Sequence, residues 1–140
     1  MTSRDLARSY IWKAETRLAV LDVLNKKGNF SDVIREAQEV VELALKGMLR
    51  AVGVEPPKLH DVGGLLLEHR DRFKPVVIKG LKQAANISKR LRKERELAFY
   101  GDIDFNPTEE YTAKDARQAI KDAKWVVSLA KKVNLTSSLR

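Results

Sequence analysis

The sequence predicts an all-α fold, an antiparallel four- or five-helix up-and-down bundle, and three observations carry that prediction. Apolar residues recur three and four positions apart through four long stretches, the periodicity of helices with one buried face. No segment alternates apolar and polar residues between hairpin turns, so no sheet is expected. The breaks between the periodic stretches are short and rich in Gly, Pro, Asn and Ser, and short connections make consecutive helices antiparallel neighbours. Residues 1–133 are expected to form one helical domain, with 134–140 a short flexible tail.

The first helix is expected over about residues 4–27, with Leu6, Tyr10, Ile11, Ala14, Leu18, Leu21 and Leu24 inward, Ser3 as N-cap and Gly28-Asn29 at its end. Ser31 is expected to cap the second helix. Its stripe runs Val33, Ile34, Ala37, Val40, Val41, Ala44, Leu45, Met48, Leu49 and Val52, before Gly53 at C′. That stripe is wide for one partner helix, which hints at a dimer. Pro56-Pro57 stiffen the next loop. A short helix over about residues 61–68 buries Val62, Leu65 and Leu66, and Gly63-Gly64 either weakens it or admits a close neighbour. A third long helix, from the Phe73-Lys74-Pro75 break to about Tyr100, turns Val77, Gly80, Leu81, Ala84, Ile87 and Leu91 inward and stops at Gly101. Residues 102–107 read as loop. Thr112 and Asp115 form a variant capping box that opens the last helix, about residues 113–133.

Composition narrows the function classes. A chain of 140 residues buries roughly two-thirds of its unfolded surface and folds without staples. The absence of cysteine removes disulfides, thiolate zinc sites and cysteine nucleophiles, and fits a reducing cytosol. His60 and His69 are too few for a histidine metal site, so neither a metal nor a cofactor is expected. No apolar run approaches the ~18 residues that span a bilayer and no signal-peptide pattern opens the chain, so a soluble, cytoplasmic protein with no membrane partner is expected. The net charge of +8 favours anionic partners such as nucleotides or RNA, and a lysine- and glutamate-rich solvated surface accounts for it equally well.

The most informative stretch runs from Lys89 to Asp102, where a basic helical run meets an aromatic pair, a glycine and an aspartate. Lys82, Lys89, Arg90, Arg92, Lys93 and Arg95 form the densest basic region, and Phe99 and Tyr100 follow it. Such a run is either a solvated face or a track for phosphates, with the aromatic pair stacking on a base. Arg92, Glu96 and Tyr100 are four apart and share a face, whereas Arg95 and Tyr100 are turned from each other by about 140°. Those two serve one site only if the helix distorts near Gly101 or if the site crosses a dimer axis. Gln38, Glu42 and Lys46 line up on the second helix, either as a solvated strip or as a polar strip facing a cleft. His60 or Asp61 caps the short helix, and His60 has no partner at metal-ligand spacing. Gly-rich phosphate loops and the HExxH and GxSxG motifs are missing.

Two blocks resemble the HEPN family, the higher eukaryote and prokaryote nucleotide-binding domains. Residues 36–49 followed by His60 resemble the family pattern of a Gln, then a Glu and a Lys one turn apart, then a His opening the next element; here these are Gln38, Glu42, Lys46 and His60. Residues 95–102 resemble the family's Arg-x4-6-His motif, whose His is often followed by Gly. The resemblance covers most of the chain. It implies a dimerising helical bundle, often a metal-independent RNase toxin paired with a small nucleotidyltransferase antitoxin, with Arg and His from both subunits lining a cleft at the dimer interface.

Arg95 matches the motif arginine, but Tyr100 stands where the histidine is expected. Cleavage by 2′-hydroxyl attack needs a base poised near neutral pH, and at pH 7 only about one ordinary tyrosine in a thousand is ionised. The resemblance therefore implies a nucleotide- or RNA-binding homodimer with weak or no RNase activity, acting with a nucleotidyltransferase. Arg95 would grip phosphate, Tyr100 would hydrogen-bond or stack, and Arg92, Glu96, Asp102, Glu42 and Lys46 would line the site. Two other readings stay open: an active metal-independent RNase, the toxin of a toxin–antitoxin pair, with Arg95 and Tyr100 catalytic or a nearby carboxylate in place of the histidine, and a structural or regulatory helical dimer without a nucleic-acid ligand.

Overall fold

The computed structural model describes residues 2–58 and 61–133, with every side chain there except those of Glu96 and Phe99. The expected tail, residues 134–140, lies outside the described residues. Helix α1 (Ser3–Lys26) opens on Thr2 rather than Ser3. Asp5 lies three residues after Thr2, so the pair closes a reciprocal box: the Asp5 N–H donates to the Thr2 hydroxyl at 3.1 Å and the Thr2 N–H to the Asp5 carboxylate at 2.9 Å. That bond from the Thr2 backbone, then the one from its hydroxyl, holds the Asp5 carboxyl below the usual carboxylate range. Ser3 instead donates its hydroxyl to the Arg50 carbonyl at 2.9 Å, tying the start of α1 to the end of the next helix. Helix α2 (Phe30–Ala51) opens on Asn29, which accepts from the Asp32 N–H, and Ser31, the expected cap, is buried in the first turn. Gly28 and Gly53 end these helices at φ 75° and 81°.

Helix α3 (Val62–Glu68) and a 3-10 turn (Arg70–Arg72) lead into α4 (Pro75–Phe99). The stretch expected to be loop contains a helical turn, α5 (Pro107–Glu110), because Pro107 presets the first position and the Asn106 side chain accepts from the Thr108 N–H. Helix α6 (Ala113–Lys131) opens on the expected Thr112–Asp115 box. The described residues contain no strand, and one isolated bridge, Asp102 to Phe105, closes a two-residue turn. None of their helices is long and apolar enough to cross a membrane.

Side-chain pairings establish the antiparallel order. The early α2 residue Glu39 meets the late α4 residue Arg95. Arg90 of α4 pairs with Asp122 of α6, while Gly80, earlier in α4, abuts Leu129, later in α6. Helix α2 is the central element and packs on α1, α6, α4 and α3. Leu45, Met48 and Leu49 are fully buried there. Its wide apolar stripe is thus consumed within one chain, and the width that hinted at a dimer has an intramolecular cause.

The Gly63-Gly64 pair is resolved the same way. A Cβ on Gly63 would lie 2.7 Å from the Ala85 Cα, so this glycine lets α3 lie directly on α4. The nearest atoms to a Cβ on Gly64 belong to the Asp61 side chain, with a carboxylate oxygen at 3.2 Å. Gly63→Ala is expected to cost about 1–3 kcal/mol through overpacking. Gly64→Ala is expected to be neutral or to stabilise by up to about 1 kcal/mol, because alanine is the better helix former. Urea unfolding of both variants checks the opposite signs, and equal midpoints would refute the close-packing role.

Candidate functional site

Helix α4 carries the candidate cations, and helical register decides which neighbour each one meets. Arg90 reaches Asp122 on α6, a buried carboxylate that also accepts from the Gln118 side chain at 2.9 Å. Arg92 lies 3.8 Å from Asp61, the residue that caps α3 by accepting from the Gly63 N–H. Arg95 donates to the Glu39 carboxylate on α2 at 2.8 Å. Lys82, Lys89 and Lys93 are exposed. The basic run therefore divides by chemistry: planar guanidinium forks turn to carboxylates on three different elements, while strongly hydrated ammonium groups stay in water.

Arg95 has donor capacity left over. Its side chain is 41 % exposed, and one Glu39 oxygen occupies one of its five N–H donors. The buried Nε–H has no acceptor. An ion pair this open contributes only about 0–1 kcal/mol. An anion offering two oxygens can therefore compete with Glu39 for the guanidinium.

Glu39 also joins Arg95 to the polar strip of α2, because Glu39 and Glu42 are three apart and adjacent on that helix. The Gln38 amide donates to Glu42 at 3.4 Å, and the Lys46 ammonium lies 3.7 Å from the same carboxylate. Gln38 is buried, with its amide oxygen unpartnered. A polar seam thus runs from Arg95 across Glu39 to Glu42 and Lys46. The sequence singled out both of its ends and missed Glu39, the link.

Tyr100 follows directly on α4 and is 76 % exposed. The helix keeps its ladder to the end, with the Gly101 N–H still donating to the Leu97 carbonyl at 3.0 Å. No distortion brings Tyr100 round to Arg95, and the angle of about 140° between them persists. Asp102 is engaged in the turn: its N–H donates to the Phe105 carbonyl at 2.9 Å and its carboxylate accepts from the Ile103 N–H at 2.7 Å. The Glu96 side chain and His60 lie outside the described residues.

A second pairing missed by the sequence flanks the site. The Tyr111 hydroxyl donates to Glu94 at 2.7 Å, beside a cavity of about 380 Å³ that Arg90, Phe105 and Gln118 also line. Phe105 meets the Tyr111 ring edge-on, with centroids 5.5 Å apart. Burial first, then the bond to Glu94, pushes the Tyr111 phenol well above the ordinary tyrosine range. The folded state thus keeps a proton that the unfolded chain releases above about pH 10. The stability from this group is fully present below that pH and is lost as pH rises beyond it. The 295 nm absorbance difference between wild type and Tyr111→Phe is expected to stay flat through about pH 10.5, where a free phenol would be more than half ionised. A step centred near 10 would show that Glu94 does not hold the proton in place.

The all-α bundle, with a charge-balanced polar seam between antiparallel α2 and α4, gives the class of protein by its fold. Within that class, residues 7–133 match the HEPN domain family, and the chain belongs to that family. It is 28% identical over 132 residues to MJ1304 of Methanocaldococcus jannaschii, which is named as a candidate toxin; the match spans 89% of this chain and 86% of that protein. Among solved structures, it superposes on TT1696 from Thermus thermophilus with a TM-score of 0.72 at 20% identity, covering 90% of this chain and 96% of the other. It superposes on ST0689, an archaeal HEPN homologue, with a TM-score of 0.66 at 23% identity, covering 89% and 94%. At those identities the two structures speak to the fold alone.

Proposed function

We propose that this is a nucleotide- or RNA-binding HEPN protein of the cytoplasm that works as a homodimer, partners a small nucleotidyltransferase and cleaves RNA weakly or not at all. The observation that carries this reading is the state of Arg95: half exposed, held by one oxygen of an open ion pair, and with a buried Nε–H lacking an acceptor. A phosphate matches that fork in charge and geometry. Exposed Leu97, Tyr100 and Ile103 surround the same end of α4 and offer a second copy an apolar contact. Such a contact would bring Tyr100 of one subunit toward Arg95 of the other, which a single regular helix does not allow.

The relative named as a candidate toxin favours a second reading, an active metal-independent RNase in which Tyr100 replaces the motif histidine. Labelled RNA incubated with the protein in EDTA separates the two. The binding reading expects a shifted anisotropy and intact RNA. Cleavage that accelerates up to about pH 10 supports a tyrosine base and overturns it. Absence of binding by RNA and nucleotides alike overturns both, and light scattering at the same concentration tests the dimer.

A further inference from the structure

At the opposite pole of the bundle, a cleft of about 580 Å³ opens where the end of α2, the start of α1 and the start of α4 converge. Arg4, Arg50, Arg72 and Lys74 line it, and no carboxylate does. None of these four cations forms an ion pair among the described residues. In a chain with 19 acidic residues that is an uncompensated cluster, assembled from three separate places in the sequence.

Two of the cations are held in position by the fold. The Arg72 guanidinium donates to the Val52 carbonyl at 3.0 Å. The Arg50 guanidinium lies over the Tyr10 ring, 5.3 Å from its centroid, and its backbone carbonyl accepts from the Ser3 hydroxyl. The Arg50 Nε–H is buried with no acceptor. Lys74 directly precedes α4, whose first hydrogen bonds go to the Lys74 carbonyl. A cation there opposes the positive end of the helix dipole, a conflict that a bound anion relieves. Phe73 and Val77, both buried in the core, lie beneath it.

We infer that this polar cleft is a second binding site, for a phosphoryl group carried by a nucleotide or by an RNA end, separate from the Arg95 seam. Lys74 and Arg95 lie at opposite ends of α4, about 30 Å apart at 1.5 Å per residue. Arg50 and Arg72 supply oriented N–H donors, and Arg4 and Lys74 supply charge from the rim. The volume lies within the range of small-molecule sites.

The test titrates inorganic phosphate, ATP, and an RNA octamer with or without a 5′-phosphate into full-length wild type and Arg95→Ala, each labelled with 15N. ATP is expected to move the Gly53 amide and the Arg50 Nε–H signals saturably in both proteins. Arg4→Gln/Lys74→Gln is expected to raise the Kd at least tenfold, and the charge-matched control Lys13→Gln/Lys27→Gln less than twofold. Tighter binding of the 5′-phosphorylated octamer than of ATP assigns the phosphoryl group to an RNA end; the reverse assigns it to a nucleotide. The inference fails if millimolar ATP and both octamers leave Gly53 and Arg50 unmoved. It also fails if the two double variants weaken binding equally. Because the shifts are read in Arg95→Ala, loss of the Arg95 seam and loss of this cleft give different results.

Discussion

Arg95→Ala is expected to weaken RNA binding about 10- to 100-fold, and Glu39→Gln to strengthen it a few-fold. Both follow from one contact. Hydrogen bonds to a charged group contribute about 1.5–3 kcal/mol, which converts to a loss of roughly 10- to 100-fold. The Glu39 carboxylate competes with a phosphate for the same fork, and its charge repels the incoming anion. An uncharged glutamine keeps the shape and removes both effects. The two side chains are 41% and 34% exposed, so neither change should cost more than about 1 kcal/mol of stability. Anisotropy with a labelled single strand at two salt concentrations measures both, and the salt dependence should flatten in Arg95→Ala as one phosphate contact is lost. Wild-type affinity in Arg95→Ala would remove the basis for the functional reading. Weaker binding in Glu39→Gln would mean that the carboxylate positions the arginine instead of competing for it.

Periodicity was enough to read the four long helices, because each buries one face and the stripe repeats at the helical pitch. Capping went to Thr2 and Asn29 in place of Ser3 and Ser31, since each cap is selected by the acidic residue three positions on, Asp5 or Asp32. The turn of α5 escaped because four residues are too few to show a period.

The site divides along a similar line. Arg95, Glu42 and Lys46 could be named from spacing within a helix. Glu39 could not, because its partner is 56 residues away and periodicity says nothing about which helices adjoin. The Tyr111–Glu94 bond and the polar cluster of Arg4, Arg50, Arg72 and Lys74 escaped for the same reason. A local signal was present in α2, where Glu36 and Gln38 are buried among apolar residues and Glu39 and Glu42 lie beside them, half-buried. Polar groups placed in such a helix need partners from elsewhere in the fold.

Gly101→Ala is expected to destabilise the protein by about 2–4 kcal/mol, and Gly28→Ala by about 1–2 kcal/mol. Both glycines hold a left-handed backbone, with φ of 76° and 75°. A Cβ on Gly28 would meet nothing within 4 Å, so that substitution measures the conformational cost alone. A Cβ on Gly101 would lie 2.6 Å from the Phe105 carbonyl oxygen and 2.7 Å from the Pro107 Cδ. These atoms cannot step aside freely. Phe105 is bridged to Asp102 through both backbone hydrogen bonds, and its ring packs on Tyr111, which is bonded to Glu94 of α4. Relieving the contact must push the whole turn outward and loosen Tyr111, at the helix end where Tyr100 emerges. At about 3–4 °C per kcal/mol for a chain of this length, the expected falls in Tm are about 5 °C for Gly28→Ala and about 10 °C for Gly101→Ala. Gly101→Asn tolerates the left-handed backbone but keeps the clash, so its loss should fall between that of Gly101→Ala and the difference between the two alanine variants. Equal losses in Gly28→Ala and Gly101→Ala would show that the turn yields without cost. It would then not be the rigid element that fixes where α4 ends and Tyr100 stands.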